Sequence, residues 1–223
     1  MAGTSPWPLI HEERRALLAD VDGLTDAQWA TPSLCPGWTV RDVFGHMTAT
    51  TKMTPVRFVS HLASAGFRFH VMSAADVAAE TAGAPQSTVA EFRSHLDAVT
   101  HPPGPVDAML GEAVVHSEDI RRPQGISRAY PAAAVTRAAD FFKASNLLIG
   151  TKSRIAGLTL RATDVDWTTG HGPEVSGPIL SLLMAMTGRA RPLSTTSPAT
   201  GSQPSPHGCK RLRLRRRAVR LRR

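Results

Sequence analysis

One run of residues constrains this 223-residue chain more than any other, because it places two metal-ligand side chains on one face of a helix. Glu112 and His116 lie four residues apart, and no helix breaker separates them. On an α-helix this spacing brings the two side chains together, one turn apart. Pro123 and Gly125 then end the helix. Ordinary helices also contain such pairs, with a solvated glutamate and a half-buried histidine, so a metal site requires a third ligand.

The third ligand is predicted to be His46, on an earlier helix. A Pro36-Gly37 turn precedes that helix, Thr39 provides an N-cap, and Asp42 occupies the capping-box position. His46 follows about two turns into the helix, on or beside its buried side. Asp42 is explained by the cap, although its position four residues before His46 also makes it a candidate to orient that imidazole. Two imidazoles and one carboxylate suit Zn²⁺ and leave a fourth position open, as in catalytic zinc sites.

Three segments carry a family resemblance. They are Pro32-Ser33-x-Cys35-Pro36-Gly37-Trp38-Thr39-Val40-Arg41-Asp42 with His46, then Gly111-Glu112-x-x-x-His116-x-Glu118-Asp119-Ile120-Arg121-Arg122-Pro123, and then Gly157-Leu158-x-Leu160-x-Ala162-Thr163-Asp164-x-Asp166-Trp167 with Gly172-Pro173-Glu174-Val175-x-Gly177-Pro178. On these segments the chain resembles the mycothiol-dependent maleylpyruvate isomerase family over residues 7 to 190. Ser117 stands where most members of that family have glycine, and this difference leaves the ligand positions untouched.

The resemblance implies both a fold and a ligand set. In that family a histidine of an early helix and a Glu-x-x-x-His of a later one hold zinc, which corresponds to His46, Glu112 and His116. The implied fold class is α+β. We expect a DinB-like four-helix bundle, the metal-binding domain, at residues 7–148 and a small, truncated α+β C-terminal domain at 149–190. A basic low-complexity tail, expected to be disordered, follows at 191–223.

The predicted function follows from that ligand set and from the resemblance. It is a metal-dependent and mycothiol-dependent enzyme of the maleylpyruvate isomerase type, in which Zn²⁺ or another divalent metal activates the thiol for addition to an electrophilic small molecule. Arg121 and Arg122 are candidates to attract a substrate carboxylate, although Glu118 is spaced to form an ion pair with Arg122. Two alternatives stay open. One is a thiol S-transferase or detoxification enzyme on the same scaffold, and the other is a non-catalytic, metal-stabilised binding module.

The remaining elements are read from apolar periodicity and capping residues. Predicted helices cover 8–21, a short turn at 24–29, 40–52, a segment from 55, 74–82, 87–99, 107–122 and 132–144. At Gly150 the periodicity changes. Residues 155–163 show a strand-like alternation, further extended pieces follow, and a helix is predicted from Pro178 to Thr187.

Composition narrows the function classes. Ten of the 26 basic residues lie in 191–223, where no acidic residue occurs, so residues 1–190 carry 16 basic and 18 acidic side chains and a formal charge of −2. The main body therefore gives no reason to expect nucleic-acid binding. No apolar run reaches membrane-spanning length and no signal peptide is evident, so we expect a cytoplasmic protein without a membrane partner, either monomeric or dimeric. No phosphate-binding loop, nucleophile elbow or CxxC pair is present.

The tail has a separate interpretation. Members of the family that the chain resembles usually continue after the helix predicted at Pro178 to Thr187 with Leu-Asp-Asp-Leu and then a Gly-Asp/Glu-Gly-Val run. GC-rich codons for residues 193–204, read from the third base of each codon, can encode that continuation. We therefore expect residues from about 191 onward to result from a shifted reading frame. A genuine arginine-rich arm, attracted to phosphate or acidic membranes, is the alternative.

Overall fold

The computed structural model describes residues 4–147 and 149–189 of the chain. Within those residues it contains ten α-helices and three short strands, which confirms the predicted α+β class. The elements are α1 (Trp7–Val21), α2 (Asp26–Trp29), α3 (Val40–Thr51), α4 (Pro55–Ser64), α5 (Phe69–Glu80), α6 (Pro85–Ser94), α7 (Asp107–Arg121), α8 (Ala132–Ala144), α9 (Thr151–Arg154), β1 (Thr159–Ala162), β2 (Thr168–Gly170), β3 (Glu174–Gly177) and α10 (Ile179–Met186).

Helix α3 begins where its capping residues predict. The Asp42 backbone N–H donates to Thr39 Oγ1 at 3.2 Å, and the Asp42 carboxylate accepts from the Thr39 backbone N–H at 2.8 Å. Each side chain thus satisfies a backbone donor that the first turn would otherwise leave unpaired. Thr25 and Gln28 form the same capping box at α2. These caps fix the start of the helix that carries His46.

Helices α5 and α6 differ from their predicted bounds. Helix α5 starts at Phe69 instead of residue 74, because Gly66 and Phe67 take left-handed backbone conformations, with φ of 61° and 59°, and turn the chain out of α4. Helix α6 ends at Ser94 instead of residue 99. The segment after α6 leaves the helix early, and the carbonyl of Ala98 then accepts a hydrogen bond from Arg14 at 2.8 Å.

Helix α7 is the centre of the bundle, since it packs against α1, α3 and α8. A hydrophobic cluster on one side, built around Leu17, Phe44 and Phe92, joins α1, α3 and α6. A larger cluster on the other side joins α7 and α8 to α10 and the sheet, with Leu110 and Leu183 both fully buried in it. Because α7 lies between two cores, its polar side chains are held in fixed positions.

The C-terminal part forms a three-stranded sheet in the order β2-β1-β3, with β1 antiparallel to β2 and parallel to β3. Gly170 is required at the end of β2, because a Cβ there would lie 2.1 Å from the carbonyl oxygen of Leu158. Strand β1 starts at Thr159, later than predicted, because α9 and a turn at Gly157 occupy the preceding residues. The sheet shares its core with the bundle, and the division into two domains at residue 148 stays a prediction.

The predicted basic tail at 191–223, and with it the hypothesis of a shifted reading frame, lies outside the described residues. Among the helices of the described part, none combines the length and the apolar character needed to cross a bilayer.

Candidate metal centre

A cavity of about 650 Å³ opens among α3, α5, α7 and α8, and His46, Glu112 and His116 all line it. The structure thus brings the three predicted ligands to one space from two different helices. His46 comes from α3, whereas Glu112 and His116 come from neighbouring turns of α7. The spacing argument for the α7 pair therefore places both side chains on the cavity face, as predicted.

The two imidazoles lie against each other. The ring centroids of His46 and His116 are 5.1 Å apart, with the rings nearly perpendicular. The ring of Trp38 also packs against His46, with 5.3 Å between the ring centroids. Burial, followed by the nearby charges of His116 and Arg189, lowers the pKa of His46 to about 3. His46 is therefore a neutral imidazole at physiological pH, which is the form that binds a metal.

His116 is held from one side by Asp119. The distance between His116 Nδ1 and Asp119 Oδ2 is 2.8 Å. Burial alone would lower the pKa of His116, but the hydrogen bonds with Asp119 and Cys35 outweigh it and raise the pKa to about 9. With Nδ1 committed to the carboxylate, Nε2 is the nitrogen left for a metal, as in the carboxylate–histidine arrangements found around zinc. Metal binding would displace the second proton of this imidazole.

Glu112 completes the predicted set. Its carboxylate accepts a hydrogen bond from the hydroxyl of Thr50, which lies on α3. Burial raises the pKa of Glu112, and His116, Thr50 and Arg14 offset this only in part. A carboxylate held in such surroundings is stabilised by a neighbouring cation, so the side chain suits a metal ligand.

A second cluster lies beside these residues and was not predicted. Cys35 Sγ is 3.1 Å from Asp119 Oδ2 and 3.8 Å from His116 Nδ1. Arg189 donates to Asp119 at 2.9 Å and to Cys35 Sγ at 3.2 Å. The spacing of His116 and Asp119 on one helix face was visible in the sequence, but nothing in the sequence around Cys35 indicated that its thiol lies beside them. Nothing local to Arg189 indicates a partner 70 residues earlier.

The two candidate ligand sets differ in how closely their donors approach. Within residues 4–147 and 149–189, the group of three metal-ligand side chains whose donor atoms all lie within 4.8 Å of one another is Cys35, His116 and Asp119. The donors of His46, Glu112 and His116 are not gathered that tightly. Because zinc bonds to nitrogen and oxygen are about 2.0–2.2 Å long, a metal held by these three would draw their donor atoms closer together.

The structure does not bring Arg121 and Arg122 to this cavity. Arg121 is fully buried on the far face of α7, where it donates to Asp20 at 2.6 Å and to Glu13. Arg122 donates to Glu118 at 2.6 Å, which confirms the predicted pairing. Glu118 is buried, so this ion pair is only partly exposed to solvent. Both guanidinium groups have protein partners and neither lines the cavity.

Comparison with known proteins finds a family model that matches part of the chain and two solved structures with a similar fold. Residues 10–107 match the family described as the mycothiol maleylpyruvate isomerase N-terminal domain, a range that includes His46 but ends before Glu112. Two solved structures are similar: the crystal structure of the mycothiol-dependent maleylpyruvate isomerase and that of a histidine-to-alanine mutant of it. Each is 14% identical, with a TM-score of 0.58, over 82% of this chain and 88% of the other. At this identity the likeness concerns the fold. The comparison with curated proteins found no match.

Proposed function

We propose that this chain, whose residues 10–107 match the mycothiol maleylpyruvate isomerase N-terminal domain, is a metal-dependent enzyme that adds mycothiol to an electrophilic small molecule. The family match and the shared fold support the general activity. The observation that carries the metal centre is the meeting of His46 with His116, at 5.1 Å between ring centroids, in a cavity that Glu112 also lines.

The donor chemistry of these residues fits a divalent metal such as Zn²⁺. His46 is already neutral, Asp119 orients His116, and Glu112 supplies one negative charge. A bound metal would supply a thiolate at neutral pH, where a free thiol with a pKa near ~8.5 is mostly protonated. We favour this set over Cys35 with Asp119, because Arg189 already provides the cation that those two groups face.

The residues around the centre have complementary roles in this proposal. Trp38 packs against the ring of His46 and limits its rotation. The apolar side chains that line the cavity exclude water, which strengthens electrostatic interactions within it. For a substrate with a cis double bond, addition of the thiol makes that bond single, rotation follows, and elimination of the thiol returns the trans isomer. With an electrophile that carries a leaving group, the same addition ends in transfer of the thiol.

Metal analysis combined with a mycothiol titration tests the proposal. The purified full chain is expected to hold about one divalent metal, and His46→Ala, Glu112→Ala and His116→Ala are each expected to remove most of it. His95→Ala is the control, because His95 is the C-cap residue of α6 and lies outside the cavity. Mycothiol should bind the metal-loaded protein and not the metal-free protein.

Two results would contradict the proposal in different ways. If Cys35→Ser removes the metal while Glu112→Ala keeps it, the ligand set is Cys35, His116 and Asp119. If metal binds but no electrophile reacts faster with mycothiol in the presence of the protein, the chain is a metal-stabilised binding module and not an enzyme.

A further inference from the structure

The chemical character of the cavity wall limits which electrophile can occupy it. We infer that the substrate is an uncharged, largely apolar electrophile and not a dicarboxylate such as maleylpyruvate. This inference rests on the proposed function, since it concerns the second reactant at the same centre.

The wall on the α8 side of the cavity is apolar. Phe141 and Phe142 come from the end of α8, and Leu147 and Ile149 follow it. Helix α8 packs on α7 next to Glu112, because the ring of Phe142 lies so close to Gly111 that a Cβ there would be 2.6 Å from it. These side chains offer no hydrogen-bond donor to a carboxylate. An ionised carboxylate placed against them would lose its hydration without compensation.

Arg189 is the one Lys or Arg side chain among the described residues that line the cavity. Its Nε donates to Asp119, its Nη2 donates to Asp119 at 2.9 Å and to Cys35 at 3.2 Å, and its Nη1 donates to the carbonyl of Thr187 at 3.0 Å. A guanidinium group has five N–H donors, and these contacts leave one. Arg189 therefore has no free pair of donors for a substrate carboxylate, and Asp119 already balances its charge.

The acidic groups on the cavity wall are not offset by a further Lys or Arg side chain among the described residues. Glu112 and Asp76 both face the cavity, and Glu112 is expected to hold the metal. With metal bound, Glu112 and the mycothiol thiolate would offset the two positive charges of the metal, and a substrate with two carboxylates would then meet no free cation. The polar side chains His70, Ser73 and Asp76 of α5 lie across the cavity from α8 and suit the hydroxyl groups of a sugar-bearing thiol. The α8 side is then left to the electrophile.

A series of cis alkenes that differ only in charge tests the inference. These compounds share one carbon skeleton: dimethyl maleate is uncharged, monomethyl maleate carries one negative charge, and maleate carries two. Each is incubated with mycothiol and the zinc-loaded full chain, and kcat/KM is divided by the uncatalysed rate constant to remove differences in intrinsic reactivity. We expect this ratio to fall by at least about tenfold for each carboxylate. A ratio that is equal for the three compounds, or highest for maleate, overturns the inference and leaves the proposed function intact.

A binding measurement separates the inference from turnover. Dimethyl phthalate, monomethyl phthalate and phthalate repeat the same charge series on an unreactive cis skeleton. Isothermal titration calorimetry on the metal-loaded chain is expected to give at least about tenfold tighter binding for the diester than for phthalate. Tighter binding of the diester without thiol turnover supports the inference while it refutes the proposed function. Tighter binding of phthalate, or no binding of any of the three compounds, overturns the inference.

Two matched variants locate the effect in the cavity. Leu147 lines the cavity and its surface is 52% exposed, whereas Val99 lies outside the cavity and is 57% exposed. Leu147→Lys adds a cation to the apolar wall and is expected to decrease several-fold the ratio of dimethyl maleate to maleate in normalised kcat/KM. Val99→Lys is expected to leave this ratio unchanged. Equal effects of the two variants would show that general surface charge controls the preference, and this would overturn the inference.

Discussion

Replacement of Arg121 by methionine separates a structural role from a substrate role for this residue. Arg121 is fully buried and donates to Glu13, to Asp20 and to the hydroxyl of Tyr130 at 2.7 Å. Glu13 is only 3% exposed and would keep one partner, Arg128, at 2.8 Å. Removal of one member of a buried ion pair lowers the free energy of unfolding by about 3–5 kcal/mol. We expect a loss near the lower end of this range, because Glu13 keeps Arg128 as a partner. For a chain of this size about 3 kcal/mol corresponds to a decrease in Tm of about 6 to 12 °C.

The loss should depend on pH in a defined direction. Burial raises the pKa of Glu13 even though Arg121 and Arg128 oppose it, so the folded protein binds a proton to Glu13 more readily than the unfolded chain does. Stability therefore decreases as pH rises through that pKa. Without Arg121 the pKa of Glu13 rises further. The difference in stability between Arg121→Met and the parent protein should then be larger at pH 8 than at pH 5.

Urea denaturation at both pH values, followed by circular dichroism, measures the effect. Arg93→Met is the control, because Arg93 and its partner Asp22 are both mostly exposed, and it should cost less than about 1 kcal/mol. The double variant Glu13→Gln with Arg121→Met should recover part of the loss, since no unpaired carboxylate remains. Unchanged stability of Arg121→Met together with weaker binding of a charged substrate would refute the structural role and restore Arg121 as a substrate residue.

Three further predictions follow from the centre and its supports. Asp119→Asn should weaken zinc binding by about 10-fold to 100-fold, measured by competition with a chelator, because Asp119 orients His116; unchanged affinity would exclude that role. Gly111→Ala should lower the free energy of unfolding by about 1 kcal/mol, because the clash with Phe142 outweighs the gain in helix propensity, and a more stable variant would contradict this packing. Thr39→Ala should cost about 1 kcal/mol through loss of the α3 cap, and a loss below about 0.3 kcal/mol would show that the cap contributes little.

The sequence predicted those features that depend on local chemistry. Thr39 and Asp42 define the start of α3 through side-chain hydrogen bonds to the adjacent backbone, so the position of His46 along the helix followed directly. The faces of Glu112 and His116 followed from helical spacing alone. The start of α5 was missed because Arg68, its N-cap residue, makes no side-chain capping bond, and because the turn before it places Phe67 in a left-handed conformation that favours glycine.

Contacts between distant segments lay beyond such reasoning. The ion pair of Arg121 with Glu13 could not be predicted, because the two residues are 108 positions apart in the sequence. Arg189 was missed for the same reason, since its contacts with Asp119 and Cys35 depend on how α10 packs against α8. In both cases the fold, and not the local sequence, selects the partner.

The position of Arg189 after α10 has a consequence for biosynthesis. Helices α1 to α8 leave the ribosome first, and they contain His46, Glu112 and His116. Until α10 follows, Asp119 and Cys35 lack their cation, and the side of α8 that contacts Leu183 is open to solvent. Nascent chains that stop at this stage would expose an apolar surface to aggregation and to chaperones. The contacts of Arg189 with Asp119 and Cys35 are thus among the last to form as the described residues are synthesised, and a chain released by a ribosome that stalls earlier lacks them.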